Sequence, residues 1–192
     1  MLKQVLTMLM ILMMAFSADA LFEIRGGYGI NTPADDSAEL QGGGALGLST
    51  MTGFHGDVIV SPPMIPFGFG LRYESMGLDI ESAGQEFETD LTRMSVIVNY
   101  RLIDTLVFVG LIGTIGFSNE VSVSVPGFAD TEYDADLTYS VGGEAGVSLG
   151  LIFVGAELGY SIADYEAKSA TSDPQEVDFS GIYGKAFVGI GF

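Results

Sequence analysis

The sequence contains one histidine, and its surroundings are the first place to look for chemistry. His55 lies in the tripeptide His-Gly-Asp, so Asp57 follows two residues later. In a β-strand the two side chains share one face, and the carboxylate can orient the imidazole as a general base. Such a base activates a serine hydroxyl in many hydrolases. Local spacing places no serine beside His55, so the alternative is a histidine within an interior hydrogen-bond network, and we predict no catalytic residue.

Acidic side chains recur at every second position in two other segments. These ladders are Glu86, Glu88 and Asp90, and Asp130, Glu132, Asp134 and Asp136. Dense carboxylates attract divalent cations or basic partners, and the alternative is a solvated, repulsive surface. The spacing does not match the calcium loop D-x-[DN]-x-[DN]-G, because Asp134-x-Asp136 lacks the third ligand and the glycine. We therefore predict no defined metal site and no cofactor.

The chain is strongly acidic and strongly apolar at once. Its 192 residues carry a formal net charge of −18, yet 48% of them are hydrophobic. The length suits one domain, and the acidic balance argues against binding of nucleic acid. Such a composition makes sense if apolar side chains face lipid and the acids are confined elsewhere. The absence of cysteine is consistent with an exported protein that has no disulfide framework.

The first 20 residues predict a secretory signal peptide. Met1-Leu2-Lys3 is a short basic start, residues 5–16 form an apolar run interrupted only by Thr7, and Ala18-Asp19-Ala20 is an Ala-x-Ala cleavage site. The alternative is a transmembrane anchor, but the apolar run has about 12 residues where a spanning helix needs roughly 20. We expect cleavage after Ala20, which leaves a mature domain of residues 21–192.

The mature chain alternates apolar with polar or small residues, the pattern of β-strands that have one apolar face. The eight predicted strands are residues 21–30, 53–61, 66–76, 89–102, 106–117, 137–149, 151–162 and 181–192. Long and short connections alternate between them. This order predicts that long acidic loops gather at one end of the sheet and tight turns at the other.

The last segment, residues 181–192, has the clearest pattern. Counting back from Phe192, every second residue is apolar or small. This resembles the closing strand of the small eight-stranded outer-membrane barrels of the OmpA/OmpX kind, and the resemblance covers the pattern of the whole mature chain. It implies a terminal signal that is read by the barrel-assembly machinery. The residues that we assign to this signal are Tyr183, Val188, Ile190 and Phe192.

The resemblance implies an all-β fold, an eight-stranded antiparallel up-and-down transmembrane β-barrel in a Gram-negative outer membrane. Closure is required because an open edge would leave backbone groups unpaired in hydrocarbon. Short periplasmic turns are the rule, which favours residues 53–61 over the alternative, 39–50, for the second strand. A secreted soluble barrel is the rival fold, but its outward faces would be polar. We expect a monomer surrounded by outer-membrane lipid.

Charged residues that fall on inward-facing strand positions form a balanced set of five bases and five acids, which we call the charge network. Its members are Glu23, Arg25, Asp57, Arg72, Glu74, Arg93, Arg101, Glu144, Glu157 and Lys185. An eight-stranded barrel is only wide enough to be filled by side chains, and buried charges are costly unless they are paired. We predict ion pairs that plug the lumen; the alternative is a gate whose pairs rearrange.

These features predict a structural or interaction role for the barrel, with acidic loops that meet divalent cations or basic partners. One alternative is a narrow, cation-preferring pore. Another is a lipid-modifying enzyme that uses His55, because some small barrels of this kind have such activity. The H-x-S arrangement of the outer-membrane lipid A deacylases is missing here, since position 57 is aspartate.

Overall fold

The computed structural model describes residues 22–34, 37–39, 45–47, 50–62, 67–82, 85–124, 131–135, 137–168 and 176–192. The predicted signal peptide lies outside these residues. Within them, no helix is long and apolar enough to cross a bilayer.

Eight long strands form a closed antiparallel barrel, which confirms the predicted fold. They are β1 Phe22–Pro33, β2 Met51–Val60, β3 Phe67–Ser82, β4 Gln85–Asp104, β5 Val107–Ser124, β6 Thr138–Leu149, β7 Ile152–Ile162 and β8 Gly181–Gly191. Each strand pairs with its neighbours along the chain, and β8 pairs with β1 to complete the ring. Since β2 covers 51–60, the preferred position of the second strand was right.

The register shows that the strands are staggered around the barrel. Followed from Tyr28 through β2, β3 and β4, directly paired residues lead to Glu120 on β5. Followed the other way through β8, β7 and β6, they lead to Val109 on the same strand. The two paths around the barrel thus reach β5 at positions that are 11 residues apart (120 − 109). A stagger of this kind requires strands that are tilted against the barrel axis.

Within the membrane-facing part of the barrel, outward faces are apolar and inward faces are mostly polar, the reverse of a water-soluble barrel. On β2, Phe54 and Val58 are exposed on the outside, whereas His55, Asp57 and Ile59 are buried inside. The outward positions of β7 run from Ile152 to Ile162 without a charged side chain. Period-two alternation places these apolar side chains in a continuous belt, as in barrels that face lipid.

The barrel wall continues past this belt at the end with the long connections, which we call the long-loop end. Residues 77–88, 119–136 and 163–178 were predicted as loops, and this was wrong for large parts of them. Strands β3, β4 and β5 extend into them, and short strands at Thr131–Asp134, Asp164–Ala167 and Glu176–Asp178 continue the sheet. The first loop, predicted as 31–52, also contains a short antiparallel pair, Ser37–Glu39 with Ala45–Gly47.

The physical reason for this extension is that alternation continues where lipid ends. Outward positions become acidic, while the inward positions become apolar and pack together. The inward residues form an upper apolar cluster of Met51, Met76, Leu78, Leu91, Val121, Tyr133, Ala163, Tyr165, Val177 and Phe179. Acid-rich segments therefore form strands because every second side chain is buried.

The opposite end, which we call the short-turn end, has tight connections. Residues 105–106 join β4 to β5, and Gly150-Leu151 joins β6 to β7. Gly150 has a φ of 71°, a left-handed conformation that glycine adopts without steric cost. The predicted turn at 62–65 lies mostly outside the described residues.

Candidate functional site

All ten side chains of the charge network point into the barrel. Nine of them are buried, and the Arg101 side chain is 12% exposed near the short-turn end. They come from every long strand except β5, and alternation alone directs them inward. The site is therefore built by the whole closed wall and not by one motif.

Arg72 is the centre of the network. Its Nε and Nη2 donate to the two carboxylate oxygens of Asp57, at 2.8 and 2.7 Å. Its Nη1 and Nη2 also donate to Glu157 on the far wall, at 2.9 and 2.6 Å. One guanidinium thus holds two carboxylates in the two-pronged geometry that arginine favours.

Glu74 is bound from two other strands. Lys185 Nζ lies 2.5 Å from its Oε1, and Arg93 Nη2 lies 2.6 Å from its Oε2. Arg93 also donates to the Ser161 hydroxyl at 3.2 Å. The carboxylate therefore links β3 with β4 and β8.

A third group of ion pairs lies nearer the short-turn end. Arg25 contacts Glu23 at 2.8 Å and Glu144 at 2.7 Å. Arg101 contacts the same two carboxylates, at 2.9 and 3.3 Å, and Asp104 at 3.2 Å. Sequence reasoning missed Asp104, which it had placed in a turn. A register shift between Arg101 and Ile103 interrupts strict alternation here, so no simple periodicity could have found it.

Three inward phenylalanines, which we call the phenylalanine trio, pack against these arginines. Phe108, Phe153 and Phe187 have ring centroids 6.1 to 6.3 Å apart. The Arg101 guanidinium lies 4.6 Å from the Phe108 ring, and that of Arg25 lies 5.0 Å from the Phe187 ring, within cation–π range. The trio was not predicted, although its members occupy inward positions by parity.

Inward glycines provide the room for these large side chains. A Cβ at Gly155 would lie 2.6 Å from the Phe187 ring and 2.8 Å from that of Phe108. At Gly27 it would lie 2.5 Å from the His55 ring. The space above these glycines is thus already filled, which explains why a barrel with so much glycine has a packed interior.

His55 and Asp57 do share the inward face, as the sequence predicts. The Asp57 carboxylate, however, is bound by Arg72 and does not orient the imidazole. Among the described residues, neither ring nitrogen of His55 has a hydrogen-bond partner. The cross-strand neighbour of His55 is Glu74, an acid. Within the described part of the barrel, His55 therefore has no hydroxyl group in hydrogen-bond contact that it could activate as a base.

The upper apolar cluster covers the network from the long-loop end. Tyr165 and Phe179 pack edge to face there, with ring centroids 5.7 Å apart. Burial raises the pKa of Tyr165 to about 12. A dry apolar layer thus separates the charges from the solvent beyond the rim.

Outside the rim, the sheet presents carboxylates. Glu120, Asp134 and Glu166 are directly paired across three neighbouring strands, a row of like charges. Lys168 binds Glu132 and Asp134, each at 3.1 Å, and these hydrogen bonds raise the pKa of Lys168. Within the described part of the chain, no group of three or more His, Asp or Glu side chains is arranged to hold a metal ion.

The predicted acidic ladders are only partly visible. Glu132 and Asp134 lie on one short strand, and Asp90 lies on β4 with its side chain exposed. The backbones of Glu86 and Glu88 also belong to β4. Asp130 and Asp136 lie outside the described residues.

The residues assigned to the assembly signal lie on or next to β8. Val188, Ile190 and Phe192 face outward, while Tyr183 faces the interior. The backbones of Phe22 and Phe192 exchange two hydrogen bonds of 2.9 Å at the seam between β1 and β8. The signalling role of the four residues stays a prediction.

Several solved structures share this architecture. OprG from Pseudomonas aeruginosa matches with a TM-score of 0.58 and 14% identity, over 89% of this chain and 95% of that one. A major outer membrane protein from Thermus thermophilus matches with a TM-score of 0.52 and 13% identity, over 88% and 99%. Neisserial surface protein A matches with a TM-score of 0.50 and 16% identity, over 89% and 97%. At these identities the likeness shows the fold alone.

Sequence comparison supplies the family. A search of curated proteins finds no significant match. The family model described as "Outer membrane protein beta-barrel domain" matches residues 5–187, nearly the whole chain. Together with the closed eight-stranded barrel and its apolar outer belt, this match shows that the chain belongs to the outer-membrane protein β-barrel family and is an outer-membrane protein.

Proposed function

We propose that this protein is a sealed outer-membrane barrel whose function is structural and interactive rather than conductive or enzymatic. The observation that carries the proposal is the paired charge network, with Arg72 joining Asp57 and Glu157 across the lumen. An ion entering this space would have to break charge-assisted hydrogen bonds in a region of low dielectric, which is costly. The network thus acts as a plug.

Packing on both sides of the network supports the plug. The phenylalanine trio fills the lumen near the short-turn end, and the upper apolar cluster covers it at the long-loop end. Neither layer offers the continuous polar lining that ion conduction requires. A gate would need a second arrangement of the same pairs, and the observed pairs already account for all ten predicted residues.

The interactive part of the proposal rests on the outer face of the extended sheet. The row of Glu120, Asp134 and Glu166 places like charges side by side, and such pairs destabilise a sheet unless a cation lies near. In the described residues near this row, Lys168 is the basic side chain that relieves it. We propose that basic partners or divalent cations supply further positive charge at this face.

Planar-bilayer conductance of the refolded mature protein, residues 21–192, tests the plug. Folding is verified first by heat-modifiable mobility on a gel. We expect a silent bilayer at low and high salt. Discrete cation-selective steps would overturn the proposal and favour the narrow pore instead.

Binding of a lysine polymer to the protein in nanodiscs tests the acidic face. We expect salt-sensitive binding that is weakened in the triple variant Glu120→Gln, Asp134→Asn, Glu166→Gln. The matched control removes three charges inside the barrel together, Asp57→Asn, Arg72→Met and Glu157→Gln, and should bind like the unmodified protein. Equal binding by the triple variant would exclude this face as the contact.

A further inference from the structure

Exposed leucines are concentrated at the short-turn end. Leu102 precedes the turn between β4 and β5 and Leu106 lies in it, and they are 61% and 64% exposed. Leu149 precedes the turn between β6 and β7 and Leu151 lies in it, and they are 70% and 66% exposed. Because β5 pairs with β6, the two turns are neighbours on the rim. Their tips therefore form one apolar patch.

This patch has almost no charged side chains that would favour its exposure to water. Asp104 is the one charged residue in the segments 102–107 and 149–152. Its carboxylate turns inward to Arg101, at 3.2 Å, and does not solvate the tips. Outward positions beyond the belt at the long-loop end are acidic instead, for example Asp164 and Glu166. The two ends of the barrel therefore meet different surroundings.

The leucines of the two turns lie beyond an apolar belt that is already long enough to span the hydrocarbon region of the membrane. On β7, the outward apolar positions run from Ile152 to Ile162. Ten residue steps at about 3.3 Å each give roughly 33 Å along the strand. A tilt of about 40° reduces this to roughly 25 Å along the membrane normal, the usual height of the apolar band of such barrels. Leu149 and Leu151 thus extend the apolar surface into the headgroup region.

We propose that these two turns are embedded in the periplasmic phospholipid leaflet, so that lipid and not periplasmic water or protein covers this end of the barrel. The patch is continuous with the lipid-facing belt through Val107, Val147 and Ile152, which makes lipid the partner that already lies against it. Exposed apolar patches normally mark an interaction surface, and side chains of this kind bury at the boundary between headgroups and acyl chains. The inference is independent of whether the lumen conducts.

The sequence makes a direct test simple, because it contains no tryptophan. Leu106→Trp and Leu151→Trp each place one fluorophore at the patch. Val154→Trp is a control within the belt, and Glu166→Trp is a control on the aqueous outer face. The full mature chain is refolded into vesicles whose phosphatidylcholine is brominated near the top of the acyl chains in both leaflets, so orientation does not affect the result.

We expect Leu106→Trp and Leu151→Trp to emit at shorter wavelength than Glu166→Trp, to be quenched by the brominated lipid, and to be protected from aqueous iodide. Emission and iodide quenching equal to those of Glu166→Trp would overturn the proposal, and would leave the patch as a docking face for a periplasmic protein. Heat-modifiable mobility of each variant ensures that only folded barrels are compared.

Discussion

Asp57 and Arg72 are direct partners in the register of β2 and β3, and the guanidinium of Arg72 binds both carboxylate oxygens of Asp57. The same guanidinium reaches Glu157 on β7. One side chain therefore fixes neighbouring strands to each other and ties them to the opposite wall. The free energy of unfolding of the barrel should therefore depend on these ion pairs, and substitutions at Arg72 test this.

Replacing Arg72 alone should be costly. In Arg72→Met, two buried carboxylates lose their main counter-charge, and breaking a buried ion pair from one side costs about 3–5 kcal/mol. The triple variant Arg72→Met, Asp57→Asn, Glu157→Gln removes the charges together and should lose less. Urea unfolding in detergent micelles measures both. If the loss in the triple variant equals the sum of the losses in Arg72→Met, Asp57→Asn and Glu157→Gln measured singly, the lumen is hydrated and the groups are unpaired.

Filling the space above an inward glycine should destabilise the barrel. In Gly155→Ala, the new methyl group meets the rings of Phe187 and Phe108, and such overpacking costs about 1–3 kcal/mol. Gly26→Ala is the matched control on the outward face, where a Cβ has no neighbour within 4 Å. We expect little change in the control. Equal unfolding free energies for the two variants would show that the interior is loosely packed.

The cost of a charge on the belt should depend on its depth. Leu158 lies near the middle of the outward positions of β7, and Leu158→Arg should cost about 2–4 kcal/mol in bilayers. Val154 is nearer the short-turn end, so Val154→Arg should cost less. Folding into vesicles at increasing urea measures the difference. Insensitivity of folding to both changes would contradict the assigned outward face of β7.

Alkaline pH should destabilise the extended wall through Tyr165. An unfolded tyrosine ionises near pH 10, whereas burial raises the pKa of Tyr165 to about 12. The folded state therefore holds this proton more tightly, and stability falls as pH rises from about 10 to about 12. Two pH units correspond to roughly 2–3 kcal/mol at most. We expect the free energy of unfolding, measured by urea titration across this pH range, to fall less in Tyr165→Phe than in the unmodified protein. Identical pH dependence in the two proteins would disprove the role of Tyr165.

Much of the barrel could be predicted because alternation is a local signal. The parity of His55, Asp57 and Arg72 follows from the strand pattern, and the closed topology follows from the need to pair every edge. The pairing of Arg72 with Glu157 could not be predicted, since it depends on which strands face each other across the lumen. That relationship is set by the stagger of the closed sheet.

The misses have separate physical causes. Residues 119–136, which contain Pro126-Gly127, were predicted as a loop, but buried Val121 and Tyr133 belong to strands within this segment. Asp104 enters the network because the register shifts after Arg101. The packing of the inward Phe108 was not predicted, because parity gives its face but not its partners, and the glycines that make room for it lie on other strands.

The seam that joins Phe22 to Phe192 has a consequence for biogenesis. The first and last strands of the barrel, β1 and β8, are far apart in the sequence but pair with each other, so the ring can close only after synthesis of β8 is complete. Until then, both strands have open edges that could pair with other chains. An unclosed barrel therefore needs a chaperone that covers these edges. Closure of the seam between β1 and β8 removes this need and distinguishes a fully folded barrel from an incomplete one.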